Sequence, residues 1–199
     1  DPTPPVRFPG GMAVFAVRRI VRLASSFVLL VLLAPVGASA RRAPAPQFEG
    51  AVEVHPSIAL ASGAGAGLGL DLRGTYWAAF ERGYRAGPDF VIGWANFPLD
   101  GPGSASLLCL AGGARFAFSG FDRVTPSLFG RVGLHPVRGP RWGRWFWGGS
   151  WLGHLGLEGG GALDLSVADN VKLGGHAGLN LLGNGFAYFN LGAHLAVTF

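Results

Sequence analysis

LGLEGGGALDLSVADNVKLGGHAGLNLLGNGFAYFNLGAHLAVTF, residues 155–199, is the stretch that decides the fold of this chain. Leu155, Leu157, Gly159, Gly161, Leu163, Leu165 and Val167 put an apolar residue or glycine at every odd position, against Glu158, Asp164 and Ser166 among small residues. After Ala168-Asp169-Asn170 the pattern resumes with Val171, Leu173, Gly175, Ala177, Leu179 and Leu181. After Asn184-Gly185 it resumes again with Ala187, Phe189, Leu191, Ala193, Leu195, Val197 and Phe199. A strict period of two is the signature of a strand, whose successive side chains point to opposite faces; a helix would scatter the same leucines around its circumference. The two interruptions are turn formers of the hairpin kind. The chain therefore ends in a three-stranded antiparallel meander.

The same alternation runs backwards through the chain. It covers Phe48 to Leu60, Leu68 to Phe80, a shorter and less regular run from Asp89 to Phe97, Ser106 to Phe118, and Thr125 to His135. With the meander this makes eight strands over residues 48–199, with no segment of helical period among them. An even number of strands in hairpin connection predicts an all-β, eight-stranded antiparallel up-and-down barrel, which leaves no open sheet edge.

Upstream of this domain the sequence changes character. Residues 1–11 (DPTPPVRFPGG) are rich in Pro and Gly and read as a disordered or spurious extension. Residues 12–40 carry Arg18, Arg19 and Arg22, an apolar centre from Phe27 to Leu33, and Ala38-Ser39-Ala40. A positive end, an apolar centre and a small-residue A-x-A site describe a secretory signal peptide, here of the Sec type. Pro35 and Gly37 cut the apolar run short of the about 20 residues a transmembrane helix needs. Residues 41–47 form a short leader into the first strand.

Composition bounds the partners. The chain has a net charge of +5 and a pI of about 10.3, yet beyond Ala40 twelve basic residues stand against ten acidic ones. The basicity belongs mostly to the leader, so a nucleic-acid partner loses its support. One cysteine, Cys109, excludes an intramolecular disulfide framework and a cysteine-based zinc cluster. Set among Leu107, Leu108 and Leu110, it reads as a buried thiol.

Which face is apolar decides the environment. One face of the strands is Leu, Val, Phe and Ala. The other carries Glu49, Glu53, Asp71, Arg73, Arg115, Arg131, Glu158, Asp164 and Lys172. Alternation alone fits a secreted, soluble, lipocalin-like barrel for a small apolar ligand equally well. Three features favour a membrane barrel. Several segments run 11 residues or more, the polar face is full of Gly and Ala as a narrow lumen requires, and aromatics gather near strand ends. The last group includes Phe48, Tyr76, Phe80, Trp94, Phe97, Phe116, Phe118, Trp145, Trp147, Trp151, Tyr188 and Phe199, read as a girdle at the membrane–water boundary.

The final strand, Phe189 to the terminal Phe199, resembles the C-terminal assembly signal of bacterial outer-membrane β-barrels. The hairpin over residues 159–174 is similar to the penultimate hairpin of the small OmpA/OmpX-like barrel superfamily. The resemblance covers residues 48–199 as a pattern. It implies the outer membrane of a Gram-negative bacterium, and insertion by the barrel-assembly machinery with Phe199 as the recognised residue. A monomer in contact with outer-membrane lipid and lipopolysaccharide is expected as well. It does not imply one activity, since such barrels include anchors, adhesion proteins and a few lipid A-modifying enzymes. Connection lengths agree with it: residues 81–87, 119–124 and 168–170 would be periplasmic turns, and residues 98–105 and 136–150 external loops.

The candidate chemistry lies inside. His55, His154, His176 and His194 share the inward face with the acids, and a metal site or a hydrolase can be imagined from them. The lipid A deacylases of this barrel class carry a His-x-Ser element. Here His176 is followed by Ala177-Gly178 and His194 by Leu195-Ala196, and no HExxH or G-x-S-x-G element occurs. The reading is a structural polar network of Glu49, Glu53, Asp71, Arg73, Arg115, Arg131, Glu158, Asp164, Lys172, His176 and His194, without enzyme activity or cofactor. Eight strands leave an interior that side chains can fill, and nearly balanced charges predict ion pairs and a plugged lumen. The loop over residues 136–151 stands apart: Arg138, Arg141 and Arg144 interleave with Trp142, Trp145, Phe146, Trp147 and Trp151. Arginine suits phosphate and tryptophan suits the membrane boundary, so Arg138, Arg141, Trp142, Arg144, Trp145 and Trp147 are expected to contact lipopolysaccharide.

Overall fold

In the computed structural model the described residues are 46–60, 64–79, 83–100, 102–118, 123–139 and 152–199. They form eight strands: β1 (Gln47–Ala59), β2 (Ala66–Ala79), β3 (Tyr84–Pro98), β4 (Ser104–Phe118), β5 (Val124–Arg138), β6 (Leu152–Ala168), β7 (Val171–Leu182) and β8 (Ala187–Thr198). Each strand pairs antiparallel with its neighbours in sequence, and β8 pairs back to β1, closing the barrel. At the seam Val52 faces Leu195 and Glu53 faces His194, and the Phe199 amide donates to the Phe48 carbonyl at 2.8 Å. The proposed leaders, residues 1–11 and 12–40, lie outside the described residues, as does the 41–47 segment up to residue 45.

The expected alternation sets which side chains turn outward. Leu68, Leu70, Leu72, Phe90, Ile92, Leu134, Leu155, Leu157 and Leu191 are exposed, while Glu49, Glu53, Asp89, Arg115 and Asp164 are almost completely buried. A barrel apolar outside and ionic inside is the inverse of a soluble ligand-binding barrel, and it is the arrangement that lipid demands. Strands of 12–17 residues are long enough to cross the hydrocarbon layer at a tilt. No helix among the described residues is long and apolar enough to cross a membrane, which says nothing about strands.

Several strand ends differ from expectation. β3 begins at Tyr84, so residues 84–87 belong to the strand and not to a turn over 81–87. The cause is local: Gly87 and Pro88 hide the alternation, yet Gly87 pairs with Arg115 and Pro88 with Ala114. A Cβ on Gly87 would collide with the Tyr76 carbonyl, so glycine is what lets the β2 and β3 backbones meet there. Likewise β5 runs on to Arg138 and β6 starts at Leu152, three residues before the expected Leu155. Pro136 looks like a loop opener in sequence but sits opposite Gly153, where no side chain crowds its ring.

The end of the barrel opposite the start of β1 and the end of β8 holds an apolar plug. Phe97, Phe186 and Tyr188 meet with ring centroids 5.5–6.0 Å apart above Val91, Ala95, Leu107 and Cys109. This corrects the girdle reading of Phe97 and Tyr188: both face inward, on the same parity as Ala95 and Asn190. Phe48, Tyr76, Trp94 and Phe199 are outside, Phe48 and Phe199 with ring centroids 6.3 Å apart. Gly185, in the turn before β8, has φ +84°, which glycine adopts without strain.

Candidate functional site

Below the aromatic plug the lumen is filled with buried polar side chains that pair in separate groups. Near the termini Glu49 accepts from Arg73 Nη2 at 3.2 Å, Trp77 Nε1 at 3.2 Å and Lys172 Nζ at 2.6 Å. Arg73 reaches Glu53 as well, with Nε 3.0 Å from Oε1. The Lys172 contact ties β7 to β1, so the closure seam has an ion pair beneath it. Across the lumen Arg131 binds two acids: its Nε donates to Asp89 at 2.6 Å and its Nη1 to Glu158 at 2.9 Å. Asp89 also accepts from Thr75 Oγ1 at 2.5 Å. The Arg131 and Arg115 guanidinium carbons lie 4.4 Å and 5.2 Å from the centroid of the Phe129 ring. Arg131, Arg73 and Lys172 are thus each paired with carboxylates, whereas Arg115 meets the Phe129 ring and, among the described residues, no acid; the paired contacts fix the interior rather than conduct through it.

The histidines form a second group. His55 Nε2 lies 3.1 Å from Asp71 Oδ2 and its Nδ1 lies 2.9 Å from Ser57 Oγ. That is a serine–histidine–aspartate order within hydrogen-bond reach, which could activate a hydroxyl. Ser57, however, is completely buried, and the cavity beside His55 and Asp71 measures about 10 Å³, room for one water at most. His194 Nε2 is 2.5 Å from Asp164, and His176 Nδ1 is 3.8 Å from Glu53. The His176 ring centroid is 5.8 Å from that of His55 and 6.0 Å from that of His194.

Inward glycines make this density possible. A Cβ on Gly69 would lie 2.2 Å from the His55 ring, one on Gly93 1.8 Å from Asp71, and one on Gly174 2.4 Å from His194. One on Gly192 would lie 2.6 Å from His176, and one on Gly178 2.4 Å from Asn190. Each bulky polar side chain lies over a glycine of the adjacent strand, so the small residues of the polar face are the seats of the large ones.

Of the residues expected in the lumen, Glu49, Glu53, Asp71, Arg73, Arg115, Arg131, Glu158, Asp164, His176 and His194 are buried inside, and Lys172 is half-buried at the terminal end. The structure adds Asp89, Thr75, Asn180, Asn190 and His135, which sequence reasoning passed over. In the sequence Asp89 stands at the edge of an irregular run and His135 at a segment's end, where alternation is hardest to read. The His55-Pro56-Ser57 run was missed too, although it is itself a His-x-Ser sequence. Parity would have found all three. In the arginine–tryptophan segment Arg138 ends β5 and is exposed, while Arg141, Trp142, Arg144, Trp145 and Trp147 lie outside the described residues.

No protein-family model matches the chain, and no curated protein matches its sequence. Solved structures do match its fold. Neisserial surface protein A (NspA) aligns over 76% of this chain and 97% of its own at 19% identity and a TM-score of 0.57. Ail, the attachment invasion locus protein of Yersinia pestis, solved in complex with the heparin analogue sucrose octasulfate, aligns over 78% of this chain and 100% of its own at 12% identity and a TM-score of 0.57. The outer membrane enzyme PagL aligns over 75% of this chain and 98% of its own at 15% identity and a TM-score of 0.52. With the lipid-facing exterior and the closed eight-strand order, these likenesses lead to one conclusion. In fold the chain is a closed, eight-stranded antiparallel β-barrel with an apolar outer face, similar to the barrels of NspA, Ail and PagL.

Proposed function

We propose that this chain is a non-transporting, non-enzymatic barrel of the Gram-negative outer membrane that acts through the end opposite its termini. The observation that carries this reading is the blocked lumen: Arg131 spans from Asp89 to Glu158, and Phe97, Phe186 and Tyr188 close the space above. An ion would have to break buried pairs on the way, which opposes conduction. Purified barrel in a planar lipid bilayer is expected to give no stable conductance steps. Reproducible steps from the folded form would overturn the reading. Against catalysis stands the burial of Ser57, which keeps any lipid from the one hydroxyl that His55 could activate. Export by a leader over residues 12–40 and assembly guided by Phe199 belong to the same proposal, as does a monomeric state.

The outer end then supplies the function, adhesive or structural, and its arginine–tryptophan segment is the part fitted for contact. Arginine (Arg138, Arg141, Arg144) is suited to anionic groups and tryptophan (Trp142, Trp145, Trp147) to the lipid boundary. The ligand class is a polyanion, and in an outer membrane the phosphates of lipopolysaccharide are at hand. That Ail was solved with a polysulfated sugar supports a polyanion for a barrel of this fold. The combined variant Arg138→Gln, Arg141→Gln, Arg144→Gln is expected to bind phosphorylated lipid A about tenfold more weakly, about 1.4 kcal/mol, with dephosphorylated lipid A little changed. An unchanged preference for the phosphorylated form would leave the tryptophans as girdle residues only.

A further inference from the structure

We propose that the lumen contains a divalent metal site of the zinc class, formed by Glu53, His176 and His194. One ligand atom from each of these three buried side chains lies within 4.8 Å of the others. They come from β1, β7 and β8, so the site straddles the seam where the barrel closes. Zinc takes imidazole nitrogen and carboxylate oxygen at about 2.0–2.2 Å, and three protein ligands with one open position are a common arrangement. Binding requires side-chain rotations that draw the three atoms closer together than the present spacing.

Three features together mark this cluster. Both ring nitrogens of His176 lack a hydrogen-bond partner, although the residue is 4% exposed, and so does Nδ1 of His194. A buried polar atom without a partner is costly, and a metal is one way to use a lone pair there. Next, Asp164 holds the other nitrogen of His194 at 2.5 Å. A carboxylate that accepts the Nε2 proton leaves Nδ1 as a free lone pair, as carboxylate partners do for metal-bound histidines. Last, the charges around the cluster fall short of neutrality. Glu53, Asp71 and Asp164 bring three carboxylates, and among the described residues Arg73 is the one arginine in ion-pair contact with any of them, shared with Glu49. A divalent cation makes up that shortfall. His55, already committed to Ser57 and Asp71, stands beside His176 as a neighbour and not as a ligand.

Burial makes loading a matter of assembly. Glu53 meets the two histidines only when β1 pairs with β8, so the ion enters as the barrel closes. The barrel is to be folded in detergent with Zn²⁺ or Co²⁺, freed of unbound metal, and its folded fraction confirmed by heat-modifiable gel mobility. Wild type is expected to keep one metal ion per barrel, and His176→Asn and Glu53→Gln at least tenfold less. His154→Asn, at the far end of the lumen and half-buried, is expected to keep the full complement. Wild type without retained metal, or a folded His176→Asn with the same content, would overturn the site. Should a variant fail to fold, the wild-type Co²⁺ spectrum decides. Intense absorption of four-coordinate cobalt supports the site, and the weak absorption of six-coordinate surface cobalt, or none, overturns it.

Discussion

Arg131→Met is expected to destabilise the folded barrel by about 3–5 kcal/mol, the largest effect of any single lumen substitution. The arginine is 4% exposed and its one guanidinium bonds both Asp89 of β3 and Glu158 of β6. Methionine preserves much of the volume and removes both donors at once. Two carboxylates then remain buried, close to each other and unpaired, with Thr75 alone left on Asp89. The cost follows from that uncompensated charge and not from the intrinsic worth of the pairs, which desolvation largely offsets. Equilibrium urea unfolding in detergent micelles or lipid vesicles measures it. The triple variant Arg131→Met, Asp89→Asn, Glu158→Gln is expected to recover most of the loss, because no charge is left stranded. A loss below about 1 kcal/mol in the single variant would mean that water reaches these groups and that the lumen is not sealed.

Ile92→Arg is expected to cost about 2–4 kcal/mol in lipid, the depth-dependent penalty of a cation on the outer face near the membrane midplane. Ile92 lies near the middle of β3, is 61% exposed, and stands between Leu72 and Leu110 on the neighbouring strands. In a soluble barrel the same change at an exposed position would be nearly neutral. Unfolding in vesicles should therefore reveal the penalty, and an unaltered midpoint would place this face outside the hydrocarbon. Leu163 and Leu179, also outward-facing, belong to the same belt.

Much of the fold was legible because lipid enforces a simple code. Wherever a strand had both an apolar row and a polar row, as in residues 155–199, period two named the strand and its outer face at once. The code failed where glycine and proline carry neither signal, at Gly87-Pro88 and Pro136, and two strands came out short. It was also applied too weakly to aromatics: Phe97 and Tyr188 were placed by their distance from a strand end, although their parity matched inward neighbours. Parity put the charged residues inside but could not pair them. That Arg131 bridges Asp89 and Glu158, or that Lys172 crosses to Glu49, depends on barrel closure and register, which no single strand encodes. The Glu53, His176 and His194 grouping was hidden for the same reason, Glu53 lying 123 and 141 positions before the two histidines and meeting them only across the seam.

The seating of large lumen side chains over glycines gives this barrel a grammar of couples. His55 with Gly69, Asp71 with Gly93, His194 with Gly174 and His176 with Gly192 are each one bulky word and one silence, written on neighbouring strands. A change at either member alone breaks the couple: a methyl on the glycine collides, and loss of the bulk opens a void. Divergence along such a lineage should therefore advance in paired steps, with the silent member moving to the strand its partner left. Inside the barrel the unit of inheritance is then the rung between two strands, while the lipid face remains free to change one residue at a time.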